Sequence, residues 1–115
     1  MRGWVYVSSV RVHGRLVVIT DHLREKLGVS REDHEGLEEI AREAAAIIRN
    51  PDELFREARF INRYVAVVER NGRYKLVVYE VNSKLVVVTM IEDISEKRYM
   101  RMRNYRVKNK RWIPT

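Results

Sequence analysis

The last nineteen residues of the chain hold eight basic side chains and no acid: Lys97, Arg98, Arg101, Arg103, Arg106, Lys108, Lys110 and Arg111. Tyr99, Tyr105 and Trp112 lie among them. Cations neutralise phosphates and flat rings accept stacked bases, so this alternation suits single-stranded or looped nucleic acid. A solvated helix face usually mixes signs, and this segment does not. Its expected contacts to nucleic acid are Arg98, Arg101, Arg103, Tyr105, Arg106, Lys108, Lys110, Arg111 and Trp112. The remaining residues carry fifteen basic and sixteen acidic groups and sum to −1, so the eight cations of this tail set the net charge of +7.

Elsewhere the residue types narrow the chemistry. The three histidines, His13, His22 and His34, form no His-x-x-x-His pair, and the chain has no cysteine to complete a zinc site. No metal site and no cofactor is expected. The five glycines are scattered and make no phosphate-binding loop. Metal-free chemistry on RNA needs less, because the 2′-hydroxyl can itself attack the adjacent phosphate. It requires a general acid and base, and cations for the charge that develops on phosphorus. His22 sits where an apolar strand meets a helix start, in Ile19-Thr20-Asp21-His22-Leu23-Arg24-Glu25-Lys26. It reads either as an acid/base group at a sheet edge or as a helix-start histidine bonded to nearby backbone. Thr89 interrupts a valine run, as an ordinary strand threonine or as a hydroxyl offered to a phosphate. Tyr64 opens a strand beside it.

The elements that must position these groups follow from the pattern. Residues 4–12 and 15–20 read as strands joined by a His13-Gly14 hairpin. Asp21 is placed to cap a short helix over 22–27 that Gly28 ends. Leu37, Ile40, Ala41, Ala44, Ile47 and Ile48 share one face at helical period, behind a Ser30/Asp33 capping pair. Asn50-Pro51 closes that helix, and a further short helix is expected over 52–58. Strands over 61–69, 73–81 and 84–91 follow, turning at Asn71-Gly72 and Asn82-Ser83. Ser95 is placed to cap a last helix or turn to Arg103. The expected architecture is one α+β domain spanning 1–115, ββααβββ plus the basic segment 97–115. Its antiparallel sheet carries helices on one face. Valine runs on both faces of the later strands need cover on the second face too, and the tail is placed to supply it. No apolar run reaches the roughly 20 residues that span a bilayer. The opening Met1-Arg2-Gly3-Trp4 leads into an alternating stretch, not a signal-peptide core. A cytoplasmic protein without membrane contact is expected.

Three spaced segments resemble a known group. Ile19 to Lys26, then Val29-Ser30-Arg31-Glu32-Asp33, then Ile48-Arg49-Asn50-Pro51-Asp52, followed by strands that include Val88-Thr89, are similar to the barnase–EndoU–colicin–RelE (BECR) group of small toxin and phage-type ribonucleases. The resemblance implies a RelE-like α+β fold and metal-independent RNA cleavage. It makes His22 the group's histidine, Arg24 or Lys26 its basic partner and Thr89 the strand hydroxyl. The catalytic set expected is thus His22, Arg24, Tyr64 and Thr89, acting on RNA ahead of DNA, with Arg103 and Arg106 on phosphate. The alternative is a nucleic-acid-binding protein without catalysis, such as a viral or plasmid regulator. A homodimer or an antitoxin-like protein partner also stays open.

Overall fold

The computed structural model describes residues 3–115, so Met1 and Arg2 of the lead-in segment lie outside the described residues. The elements run β1 (Val5–Val12), β2 (Arg15–Thr20), α1 (Asp21–Lys26), α2 (His34–Arg49), β3 (Glu53–Glu57), β4 (Arg63–Arg70), β5 (Arg73–Val81), β6 (Leu85–Ser95), α3 (Glu96–Lys108) and β7 (Trp112–Pro114). Two turns have the backbone their residues favour. His13 and Gly14 take φ of 52° and 81°, and Asn71 and Gly72 take 55° and 78°, the paired positive values of a type I′ hairpin.

Asp33 caps α2 by accepting from the Gly36 N–H at 2.9 Å. Ser30 takes no part in that cap; it bonds Glu32 instead. Leu37, Ile40, Ala41, Ala44, Ile47 and Ile48 are all buried beneath α2, as their period requires. The cap of α1 is Thr20 and not Asp21: the Thr20 hydroxyl accepts from the Leu23 N–H at 3.2 Å.

The seven strands form one sheet in the order β1-β2-β6-β5-β4-β3-β7. It is mixed, where an antiparallel sheet was expected. The hairpin β1–β2 joins the meander through a parallel β2–β6 pair, with Val17, Val18 and Ile19 opposite Leu85, Val86 and Val87. A parallel pair needs a long connection, and here the chain between β2 and β6 passes through α1, α2 and the strands β3, β4 and β5.

A second correction concerns residues 52–58, which are extended and contain β3. Pro51 breaks α2. The Asp52 backbone N–H then donates to the Val67 carbonyl at 2.7 Å, and its carboxylate accepts from the Glu69 N–H at 2.7 Å. Hooked at that point, the chain continues along β4, with Phe55 opposite Val65. A helix there would leave the edge of β4 bare and Phe55 without its pocket. Tertiary pairing therefore overrides local helix propensity.

The third correction is to the layers. Leu23 of α1 and the apolar stripe of α2 share a core with Ala66, Val77 and Val87 on one face of the sheet. Helix α3 packs on the other face, over Phe55, Val65, Val67, Leu76 and Ile94. Ser95 caps it as expected, accepting from the Arg98 N–H at 3.3 Å, but it runs on to Lys108. Lys110 takes a left-handed φ of 56° and turns the chain back. Trp112 then pairs with Glu57 and stacks on Phe55 at 4.9 Å between centroids. The tail covers only the β3–β4–β5 half of this face. On the β1–β2–β6 half, Val5 and Val7 each remain 45% exposed.

Trp112 is 3% exposed and is the principal apolar anchor of β7. Trp112→Ala is expected to destabilise the fold by about 3–5 kcal/mol, read from chemical denaturation. Unchanged stability would show that β7 does not hold the tail.

Candidate functional site

Helix α3 sorts the tail cations into two sets. Arg98, Arg101, Met102, Tyr105, Arg106 and Arg111 line an open groove of about 460 Å³. Arg98, Arg101 and Tyr105 follow helical i, i+3, i+7 spacing, with Met102 and Arg106 in the next row. Arg111 joins them because its N–H donates to the Arg106 carbonyl at 2.8 Å across the turn at Lys110. No ion pair engages Arg98, Arg101, Arg106 or Arg111 among the described residues. Tyr105 is 60% exposed at the groove. The Arg106 guanidinium also lies 5.3 Å over the Trp112 ring, which limits its swing.

Arg103 belongs to the other set. Its Nε donates to Glu53 Oε2 at 2.8 Å, and its guanidinium lies 5.4 Å over the Phe55 ring. Tyr99 donates its hydroxyl to Glu53 Oε1 at 2.5 Å and stacks on Tyr74 at 4.3 Å. Burial pushes the Glu53 carboxyl up, but the bonds from Arg103 and Tyr99 outweigh it and hold the group below the usual range. Arg103 and Trp112, expected among the nucleic-acid contacts, are therefore anchors that fix α3. Lys108 and Lys110 are exposed beside the groove without lining it.

The residues expected to form a catalytic set do not converge. His22 is exposed on α1 and makes no hydrogen bond among the described residues. Arg24 is held as a strut: its Nε donates to Asp21 at 2.7 Å, its Nη1 to the Val29 carbonyl at 2.8 Å, and it lies 5.6 Å over the Trp4 ring. Lys26 does reach β6, donating to Thr89 Oγ1 at 3.2 Å and to the Met90 carbonyl at 2.8 Å. Thr89 is opposite Val78, on the α3 face. Tyr64 is opposite Tyr79 on the α2 face, stacked on it at 5.7 Å. The sheet separates Tyr64 from Thr89, so the two cannot orient one phosphate together. None of His22, Arg24, Tyr64 and Thr89 lines the arginine groove.

Among the described residues no three His, Asp or Glu side chains gather into a metal-binding group, and no helix is long and apolar enough to cross a membrane. No protein-family model, curated protein or solved structure matches the chain. The motif resemblance to the BECR group is thus joined by no second likeness.

Around α1, Asp21 receives Arg31 Nη2 at 2.8 Å as well as Arg24 Nε, and Arg31 lies 5.3 Å over Trp4. The bonds from Arg31, then Arg24, lower the Asp21 carboxyl from 3.8 to about 2. A depressed carboxylate adds stability above its unfolded value, and that stability is lost as pH falls through the folded value. The Asp21 carboxyl should therefore titrate by NMR near 2, and Arg31→Ala should return it toward 3.8. A midpoint at 3.8 in the unmodified protein would contradict the brace.

Proposed function

We propose that the chain binds single-stranded or looped nucleic acid along the α3 groove. The observation that carries this reading is four arginines, with no carboxylate partner among the described residues, around one groove that also exposes a tyrosine. Packed together, like charges raise the potential of the groove and invite a polyanion. Phosphates on Arg98, Arg101, Arg106 and Arg111 leave Tyr105 as a platform for a base. A stacking platform of this kind serves an unpaired base, since a duplex keeps its base faces covered. Lys108 and Lys110 extend the positive surface along the strand. The motif resemblance places RNA ahead of DNA.

Cleavage is the second reading, and one contact favours it. The Lys26 ammonium and the Thr89 hydroxyl, the basic partner and strand hydroxyl that the BECR resemblance implies, are in hydrogen-bond contact, with His22 one helical turn earlier on the same helix. That reading sets the reaction at the α1–β6 flank, with a 2′,3′-cyclic phosphate and a 5′-hydroxyl as products. Tyr64 has no part in it, and Arg24 is taken up by Asp21.

The binding reading makes a quantitative claim. Four phosphate contacts on a single strand give a slope of about −3 in log K against log salt, so affinity for oligouridylate should fall by about 50-fold between 50 and 200 mM salt. Tyr105→Ala should cost about 5- to 100-fold in affinity. Arg101→Ala with Arg106→Ala should roughly halve the salt slope, while His22→Ala leaves affinity unchanged. Fluorescence anisotropy with labelled oligomers measures all of these. Affinity insensitive to salt and to the arginine pair would sink the assignment. RNA incubated with protein in EDTA separates the readings: new 2′,3′-cyclic ends that disappear in His22→Ala support cleavage, and intact RNA supports binding alone.

A further inference from the structure

A second concavity lies on the α2 face, away from the arginine groove. It holds about 220 Å³, the size of one or two fused rings. Val12, Ile48, Leu54 and Leu85 make apolar walls, and the stacked pair Tyr64 and Tyr79 makes another side. His13 and Arg15 stand at its mouth on the β1–β2 hairpin. Binding sites for small molecules combine such apolar walls with a few placed polar groups.

The polar groups here have capacity to spare. The Arg15 Nε donates to the Asn82 carbonyl at 2.7 Å, which fixes the side chain. Its two terminal nitrogens have no acceptor among the described residues, and no carboxylate pairs with it. Tyr79 lines the pocket, and its hydroxyl makes no hydrogen bond to protein among the described residues. The oxygen keeps contact with solvent, so it is free to donate to a bound molecule. Like any phenol, the Tyr79 hydroxyl is protonated and able to donate at neutral pH; burial, and then the neighbouring Tyr64, push it further up, to about 12. His13 occupies the turn with a left-handed φ of 52° and lines the pocket beside Arg15.

We infer that this pocket binds a small flat molecule that joins an aromatic ring to an anionic group. The ring enters between the apolar walls and the tyrosine pair, the Tyr79 hydroxyl bonds its polar edge, and Arg15 with His13 takes the anion. Two sources share that chemistry, a mononucleotide and an aromatic carboxylate. The pocket does not depend on nucleic-acid binding at α3, because the two sites lie on opposite faces and share no residue.

The test is a titration of methyl-labelled full-length protein by NMR. The probes are uridine 5′-monophosphate and benzoate, with uridine and benzyl alcohol as their uncharged counterparts. Saturable shifts of the Val12, Ile48, Leu54 and Leu85 methyls with an anionic probe are expected. The stronger of the two anions identifies the source. Arg15→Ala should weaken the anionic probe by about tenfold and leave the uncharged one unaffected, and Tyr79→Phe should weaken the bound probe by about fivefold. Tyr79→Phe keeps the ring, and Arg15 is exposed, so both variants should retain the melting temperature of the parent. Arg101→Ala with Arg106→Ala should change nothing in this titration. No methyl shift with either anion would overturn the inference. So would binding indifferent to Arg15→Ala and Tyr79→Phe, or shifts centred on Met102 across the sheet.

Discussion

The Glu53 carboxylate decides where the tail goes. Its two oxygens accept from the Tyr99 hydroxyl and the Arg103 guanidinium, partners nearly fifty residues away on α3. That junction exists only because 53–57 is a strand. In a strand, Glu53, Phe55 and Glu57 alternate onto one face, and register with Val67 and Val65 sets that face opposite α2. Glu53 then meets Tyr99 and Arg103, while Phe55 meets Trp112. The bonds are charge-assisted, half shielded and backed by ring stacking on Tyr74, which makes them stronger than an exposed surface pair. With its inner side fixed in this way, α3 has to present Arg98, Arg101 and Tyr105 outward.

Charge and packing are therefore coupled through a division of labour. A tail with eight cations and no acid is a poor helix to bury, and only Tyr99 on α3 is fully covered. One acid borrowed from β3 neutralises Arg103 at the junction. Arg98, Arg101, Arg106 and Arg111 line the groove without an ion-pair partner among the described residues. The same face explains what remains uncovered: α3 spans the β3–β4–β5 side, leaving Val5 and Val7 of β1 open beside β2 and β6.

Much of this was legible in the residues. Asn71-Gly72 and His13-Gly14 announce their turns because few other pairs accept two positive φ values. The stripe from Leu37 to Ile48 announces α2, and Ser95 announces the start of α3. The misreadings have physical causes. Asp52-Glu53-Leu54-Phe55-Arg56-Glu57 has good helix formers, and the pull into the sheet comes from Val65 and Val67, which local propensity does not sense. The facing of Thr89 turns on a bulge at β6, where Val87 and Thr89 oppose the adjacent residues Tyr79 and Val78. One extra residue resets which side chains share a face, and no residue type marked it. The pairing of Arg103 with Glu53 had no local signal either. The tail cations were found by composition, but which of them stay unpaired became visible only in the fold.

The central claim is that the free arginines of α3, braced through Glu53, are the nucleic-acid contact surface. It is tested most directly by mapping where a single strand touches the protein. Backbone amide shifts on titration with oligouridylate should cluster on Arg98, Arg101, Met102, Tyr105, Arg106 and Arg111. Shifts centred on the His22–Lys26 helix and Thr89, with α3 silent, would contradict the account.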